Sequence, residues 1–332
     1  MKSQLFFNAM VMGLAVMITE PALAAVTSVF GSGANQFTMK FERVGNPGNA
    51  ADLTGLPRPV GSVGYGFLMG KFEVSRDMIT KFNASQSLNV SLQDMSSFGG
   101  GGPNKPATGV TWNEAARFVN WLNTSTGSNV AYNYFDGDVN DDILLWDPVL
   151  NPLDYDPNNP FRSRRAKYFL PSYNEWYKAA YYDPNRGSSG GYWDYPTQQD
   201  SEPTAVTNGV LPFSAVYQTV SLEQIGPADI TDAGGLNAYR LMGMGGNAYE
   251  WQESAFDLVN DDPTEFRAFR GGDWDSTHHF MRSVNWSSIA PPDFDYNIGF
   301  RVAAYDPVPE PTSMAMVLLG FGAYFGRRLT RK

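Results

Sequence analysis

The stretches GGNAYEWQESAFD (Gly245–Asp257), FRAFRGGDWDS (Phe266–Ser276) and IGFRVAAYD (Ile298–Asp306) decide how this chain reads. None carries the hydrophobic period of a helix, and only the third has the look of a simple strand. Paired glycines beside bulky aromatics mark places where the backbone must turn sharply or pass close to a ring. Asn247 and Glu250 offer oxygens either to neighbouring N–H groups or to a hard cation. These blocks predict a core held by specific turns and polar anchors, with little regular secondary structure.

The composition narrows the function classes. The chain has 332 residues, a formal charge of -10, 22 Phe, 17 Tyr and 8 Trp, two His and no Cys. That acidity argues against nucleic acid, whose binders neutralise phosphates with a basic face. The absence of Cys rules out disulfides, thiolate metal sites and cysteine nucleophiles.

Both ends read as processing signals. Lys2, an apolar run from Leu5 to Ile18 and the Ala22-x-Ala24 site predict a signal peptide over residues 1–24, removed by signal peptidase. The other end reads Val308-Pro309-Glu310-Pro311, then the apolar stretch Ser313–Gly326, then Arg327, Arg328, Arg331 and Lys332. Its roughly 14 apolar residues fall short of the ~20 a full span needs. The basic residues after it would hold it at the cytoplasmic face.

Between the ends, Phe37–Phe41 and Tyr65–Val74 predict strands, and Ser75 caps a helix from Arg76 to about Phe82. Thr111 and Glu114 form a capping box opening a helix over Trp112–Leu122, with Ala115, Phe118, Val119 and Leu122 as its buried stripe. Asp136, Asp138, Asn140 and Asp142 have the alternate spacing that opens a calcium loop. Asp141 stands where such a loop needs glycine and Asp147 where it needs glutamate, so an exposed acidic loop is the competing reading. Arg162, Arg164 and Arg165 are placed to pair with its carboxylates. Lys167–Leu170 predicts a strand, and Ser172 leads into a helix over Tyr173–Tyr181 with Glu175 near its positive end.

Taken in order, PATGVTWNEAARFVNWL (Pro106–Leu122), LPSYNEW (Leu170–Trp176), GGNAYEW (Gly245–Trp251), RGGDW (Arg270–Trp274) and GFR (Gly299–Arg301) resemble the formylglycine-generating enzyme, or sulfatase-modifying factor, family. The C-terminal end resembles a PEP-CTERM sorting signal. The first resemblance implies one compact α+β domain over residues 25–307, poor in regular secondary structure and related to C-type lectins. The second implies transient membrane anchoring by residues 308–332, cleavage by an exosortase, and release to the Gram-negative cell surface or extracellular matrix.

Family enzymes hold copper with two cysteines after the RGG block. By spacing, those positions are Ser276 and Met281 here, and a helper serine becomes Asp273. Ser and Met cannot supply a thiolate pair for soft Cu(I), so copper chemistry is expected to be absent. Asn247 and Glu250 resemble the family's structural calcium ligands; the competing reading has Asn247 cap a turn and Glu250 pair with Arg270 or Arg301. The family also contains iron-dependent sulfoxide synthases, which leaves Asp273, Asp275, Ser276, His278 and His279 as an alternative catalytic set for a metal-dependent oxidoreductase. The favoured expectation is a non-catalytic domain binding a surface peptide or polysaccharide. Tyr192–Tyr195 and His278-His279 are its candidate contact loops.

Overall fold

The computed structural model describes residues 25–307 except 136, 220 and 222–224. The signal-peptide segment, the sorting tail and Asp136 therefore lie outside the described residues. Nine strands matter here: β1 (Val26–Phe30), β2 (Phe37–Val44), β3 (Phe67–Gly70), β4 (Tyr168–Phe169), β5 (Tyr249–Ala255), β6 (Arg267–Arg270), β7 (Ser287–Ile289), β8 (Ile298–Gly299) and β9 (Ala303–Tyr305). Three helices accompany them: α1 (Arg76–Asn83), α2 (Trp112–Ser125) and α3 (Tyr173–Tyr181). The remaining ladders are two residues long.

The first sheet runs β1-β2-β3-β9-β4, antiparallel throughout. The second runs β7-β6-β5-β8, with β5 and β8 parallel. The three opening blocks are thus neighbours in space, since Glu250 on β5 faces Arg270 on β6 and Gly299 on β8. The sequence reading missed β5 and β6 as strands. Six of the seven β5 residues and all of β6 are buried, so the in–out alternation that identifies a half-exposed strand is not written in their side chains.

All three helices form where their caps predict. Ser75 Oγ accepts from the Met78 N–H. Thr111/Glu114 and Ser172/Glu175 each make both halves of a capping box. α2 runs one turn beyond the expected Leu122, ending in Ser125 and Thr126, whose hydroxyls donate to the Leu122 carbonyl. Its Phe118 meets Phe37 of the first sheet, Phe82 of α1 and Phe300. One hydrophobic cluster joins these elements from Phe30 to Ala304.

Candidate functional site

Glu250 sits at the centre of the second sheet, fully buried. Its Oε2 accepts from Arg301 Nε at 2.6 Å and from Trp176 Nε1 of α3 at 2.6 Å, and its Oε1 faces Arg301 Nη2. Arg301 spends its remaining hydrogen bonds on the Gly70 and Met242 carbonyls. One residue thereby ties both sheets and α3 together. Beside it, Asn247 adopts φ 64 in a turn. Its Nδ2 donates to both Glu73 oxygens and its Oδ1 accepts from the Ala228 N–H. Burial pushes the Glu73 carboxyl well above its ordinary value, and the nearby Glu250 charge adds to it.

These contacts show how the Asn247 and Glu250 side chains are engaged in the structure. A hard cation needs several uncommitted oxygens converging on one point. The Glu250 carboxylate is instead neutralised by a guanidinium, and the Asn247 oxygen is occupied by a backbone N–H. In this arrangement Asn247 sits in a turn and Glu250 pairs with Arg301. The described residues of the second candidate calcium loop are engaged by α2. Asn113 Nδ2 of α2 donates to the Asn140 carbonyl and to Asp142 Oδ1. Asn140 Oδ1 accepts from Thr111 Oγ1, and Asp138 Oδ1 from the Asn140 N–H. The side chains of this loop seat it on the start of α2, with Asp136 outside the described residues.

The tight turn after β6 positions the alternative catalytic set. Gly271 has φ 108, and a Cβ there would lie 3.2 Å from the Met244 carbonyl oxygen and 3.4 Å from the Trp176 ring. Only glycine accepts that conformation in that space. The ring against Gly271 is therefore Trp176, whereas Trp251 packs against Phe269, and Trp274 against Phe98 and Tyr296. Asp273 follows, fully buried; its Oδ2 accepts from Asn297 Nδ2 at 2.7 Å, while Oδ1 is sealed from solvent without a well-formed hydrogen bond. Burial raises its carboxyl to about 6, outweighing the Ser276 and Asn297 contacts.

Beyond Ser276, the side chains of that set have their contacts elsewhere than on the Asp273 side chain. Asp275 Oδ2 accepts from Tyr296 OH. His278 Nδ1 bonds Tyr195 OH at 2.7 Å and its Nε2 faces Glu202 at 3.5 Å. The His279 ring lies 4.0 Å from that of His278. Among the described residues no three His, Cys, Asp or Glu side chains form a group able to hold a metal. Met281 is buried, and its carbonyl accepts from Tyr181 OH. The candidate contact loops close over the core: Tyr195 is buried, and Tyr192 OH donates to the Ala50 and Gly61 carbonyls.

A cleft of about 280 Å³ opens against this turn. Tyr249, Phe269, Phe280 and Trp286 supply rings, and Asp295 and Asn297 supply polar groups. Asn297 connects the cleft wall to Asp273, and Tyr249 OH lies 3.3 Å from Ser276 Oγ. Trp286 is stacked on Phe256 at 4.2 Å. Reading residue by residue missed this cleft because Trp286, Asp295 and Asn297 belong to no motif; only their turn-rich setting between β6 and β8 hinted at a surface.

A second charged centre was also missed. Arg162, expected to serve the acidic loop, instead lies between Glu175 at 3.3 Å and Glu253 at 3.4 Å. Of the three arginines, Arg165 reaches that segment's carboxylates at Asp154, and Arg164 bonds the Pro152 and Leu153 carbonyls. Burial raises the Glu253 carboxyl to about 7; Arg162 counters this and the Glu175 charge reinforces it.

With fold and site described, the chain can be placed. Residues 33–305 match the sulfatase-modifying factor enzyme 1-like domain, and the chain belongs to that family. Solved structures of similar fold include Treponema denticola variable protein 1, at 17% identity and TM-score 0.55, covering 85% of this chain and 99% of that one. CarF aligns at 17% identity and TM-score 0.53, covering 80% and 98%. PvdO from Pseudomonas aeruginosa aligns at 18% and 0.50, covering 84% and 98%. No curated protein matches the chain.

Proposed function

We propose that this protein is an exported, non-catalytic member of its family, and that the Trp286 cleft binds a peptide or glycan on a lectin-like scaffold. The observation carrying this reading is the pair Ser276 and Met281, which stand where the family's thiolates would be in a chain without cysteine. Beside them the turn carries a buried Asp273, and the adjoining space is lined by rings, an amide and a carboxylate. Such a lining suits adaptable recognition by aromatic area and a few placed hydrogen bonds. The order Pro309-Glu310-Pro311, apolar stretch and arginines supports export with exosortase processing and release at the cell surface or into the matrix. The metal-dependent oxidoreductase alternative would draw on Asp275, His278 and His279, of which Asp275 bonds Tyr296 and His278 bonds Tyr195.

The test is a screen of peptide and glycan libraries against the purified protein, followed by Trp286→Ala. Binding that weakens about tenfold or more in the variant is expected, since a stacked ring at the centre of a site carries much of its affinity. Ligands held equally well by Trp286→Ala, or conversion of a cysteine peptide to formylglycine, would contradict the proposal.

A further inference from the structure

A second cleft, of about 370 Å³, opens away from the glycine turn, on the outer stripe of α2. Arg117, Asn120, Trp121 and Thr124 line it at helical spacings of three and four, so one face of the helix forms its floor. Its other walls come from the segment after α1 and from Val130–Tyr134. In a chain of formal charge -10, no Asp or Glu among the described residues lines this cleft, and Arg117 is the one charged residue among those that do.

Arg117 is held but not neutralised. Its Nε donates to the Val139 carbonyl at 3.1 Å, and its guanidinium lies 4.0 Å from the centre of the Tyr134 ring. Among the described residues no carboxylate lies within 4.0 Å of it, unlike Arg43, Arg162, Arg165, Arg186 and Arg301. Its Nη2 is sealed from solvent without an acceptor. Nη2 is out of a ligand's reach, so an anion in the cleft would meet the guanidinium through Nη1, for which no acceptor is found among the described residues; a charge-assisted bond to a carboxylate would supply one.

We propose that this cleft binds a carboxylate-bearing saccharide, with the acid on Arg117. The surroundings favour a sugar over an acidic peptide. Trp121 and Tyr132 line it together with the uncharged hydrogen-bonding residues Gln86, Asn133 and Thr124, a mixture suited to a hydroxyl-bearing ring. The bordering strand Asn133–Tyr134 is only two residues long, so it offers little edge for an extended peptide. The volume sits at the small end of the ~300–1,000 Å³ range of small-ligand pockets, enough for one or two sugar units.

Titration calorimetry of the purified protein at low salt with trigalacturonate, a neutral trisaccharide and triglutamate tests this. Saturable binding of trigalacturonate is expected, with no comparable heat from the other two. Arg117→Gln should weaken it about tenfold or more, and Arg117→Lys should restore part of the loss. Because Arg117→Gln also removes the ring contact, Ser87→Trp, which fills the mouth of the cleft from an exposed loop position, serves as a second variant and should block binding with an unchanged melting temperature. Equal binding of the neutral sugar, tighter binding of triglutamate, no saturable binding, or trigalacturonate affinity unaltered by Ser87→Trp would each overturn the proposal. Trp286→Ala should leave this binding intact, which separates it from the cleft proposed above.

Discussion

Arg301 and Arg162 each lie in the field of two buried acids, yet the two centres are wired differently. Arg301 gives Glu250 a close two-point pair at 2.6 Å through Nε, and the second acid, Glu73, bonds the Asn247 amide instead. Arg162 is shared between Glu175 and Glu253 at 3.3 and 3.4 Å. One guanidinium cannot fully offset two carboxylates, so in each centre one acid resists ionisation. Burial drives Glu73 well above its ordinary range, whereas Glu253, with Arg162, Tyr132 and Asn159 around it, is raised only to about 7. The lesson is that equal charge counts produce a locked centre in one place and a titratable one in the other, according to how the single cation is divided.

The largest expected effect comes from removing the cations. Arg301→Met leaves the Glu250 carboxylate buried with one indole N–H, and should cost about 3–5 kcal/mol in urea unfolding. Arg162→Met should cost less, about 1–3 kcal/mol, because Glu175 keeps hydrogen bonds from Tyr65 and Ser172 and Glu253 can remain protonated. Equal losses would break the comparison.

The next effect is in pH. The Glu253 carboxyl is raised from 4.5 to about 7 in the folded state. Between those values the folded chain therefore holds more protons than the unfolded one. This contribution to stability is complete below about 4.5 and is lost as pH rises through about 7. Glu175, whose carboxyl is lowered chiefly by Arg162 against the opposing effect of burial, acts oppositely as pH falls below its ordinary range. Melting temperatures followed across this window should decline toward neutrality, and Glu253→Gln should flatten that decline. An unchanged slope would mean another group sets it, Asp273 being the next candidate at about 6. The smallest effect is expected for Glu73→Gln at acid pH. Below about pH 4.5, where this acid is uncharged in the unfolded chain as well, an amide replaces an acid and stability should change by no more than about 1 kcal/mol; toward neutrality the variant escapes the cost of protonating Glu73 on folding and should gain stability.

The two centres also differ in how far the sequence disclosed them. Glu250 and Arg301 stand inside compact motifs, and their pairing was one of two readings those motifs allowed. The helix caps at Ser75, Thr111 and Ser172 were equally open to reading, because a cap is a local arrangement of three or four residues. Arg162 meets Glu253 across 91 positions of sequence, and a proline-rich segment gives no local clue to that destination. β5 and β6 escaped for a different reason, since burial on both faces erases alternation. The Trp286 cleft depends on loops, whose geometry follows from long-range packing rather than from spacing.

Under the proposed function, Ser276 and Met281 leave this chain without the family's metal–thiolate chemistry, and the turn backs a binding cleft instead. Elemental mass spectrometry of the purified protein, loaded with copper or iron and then dialysed, tests this most directly. The account predicts far less than one redox metal per chain, with no change on replacing His278 and His279. Copper or iron retained at one per chain, and lost with those histidines, would contradict it.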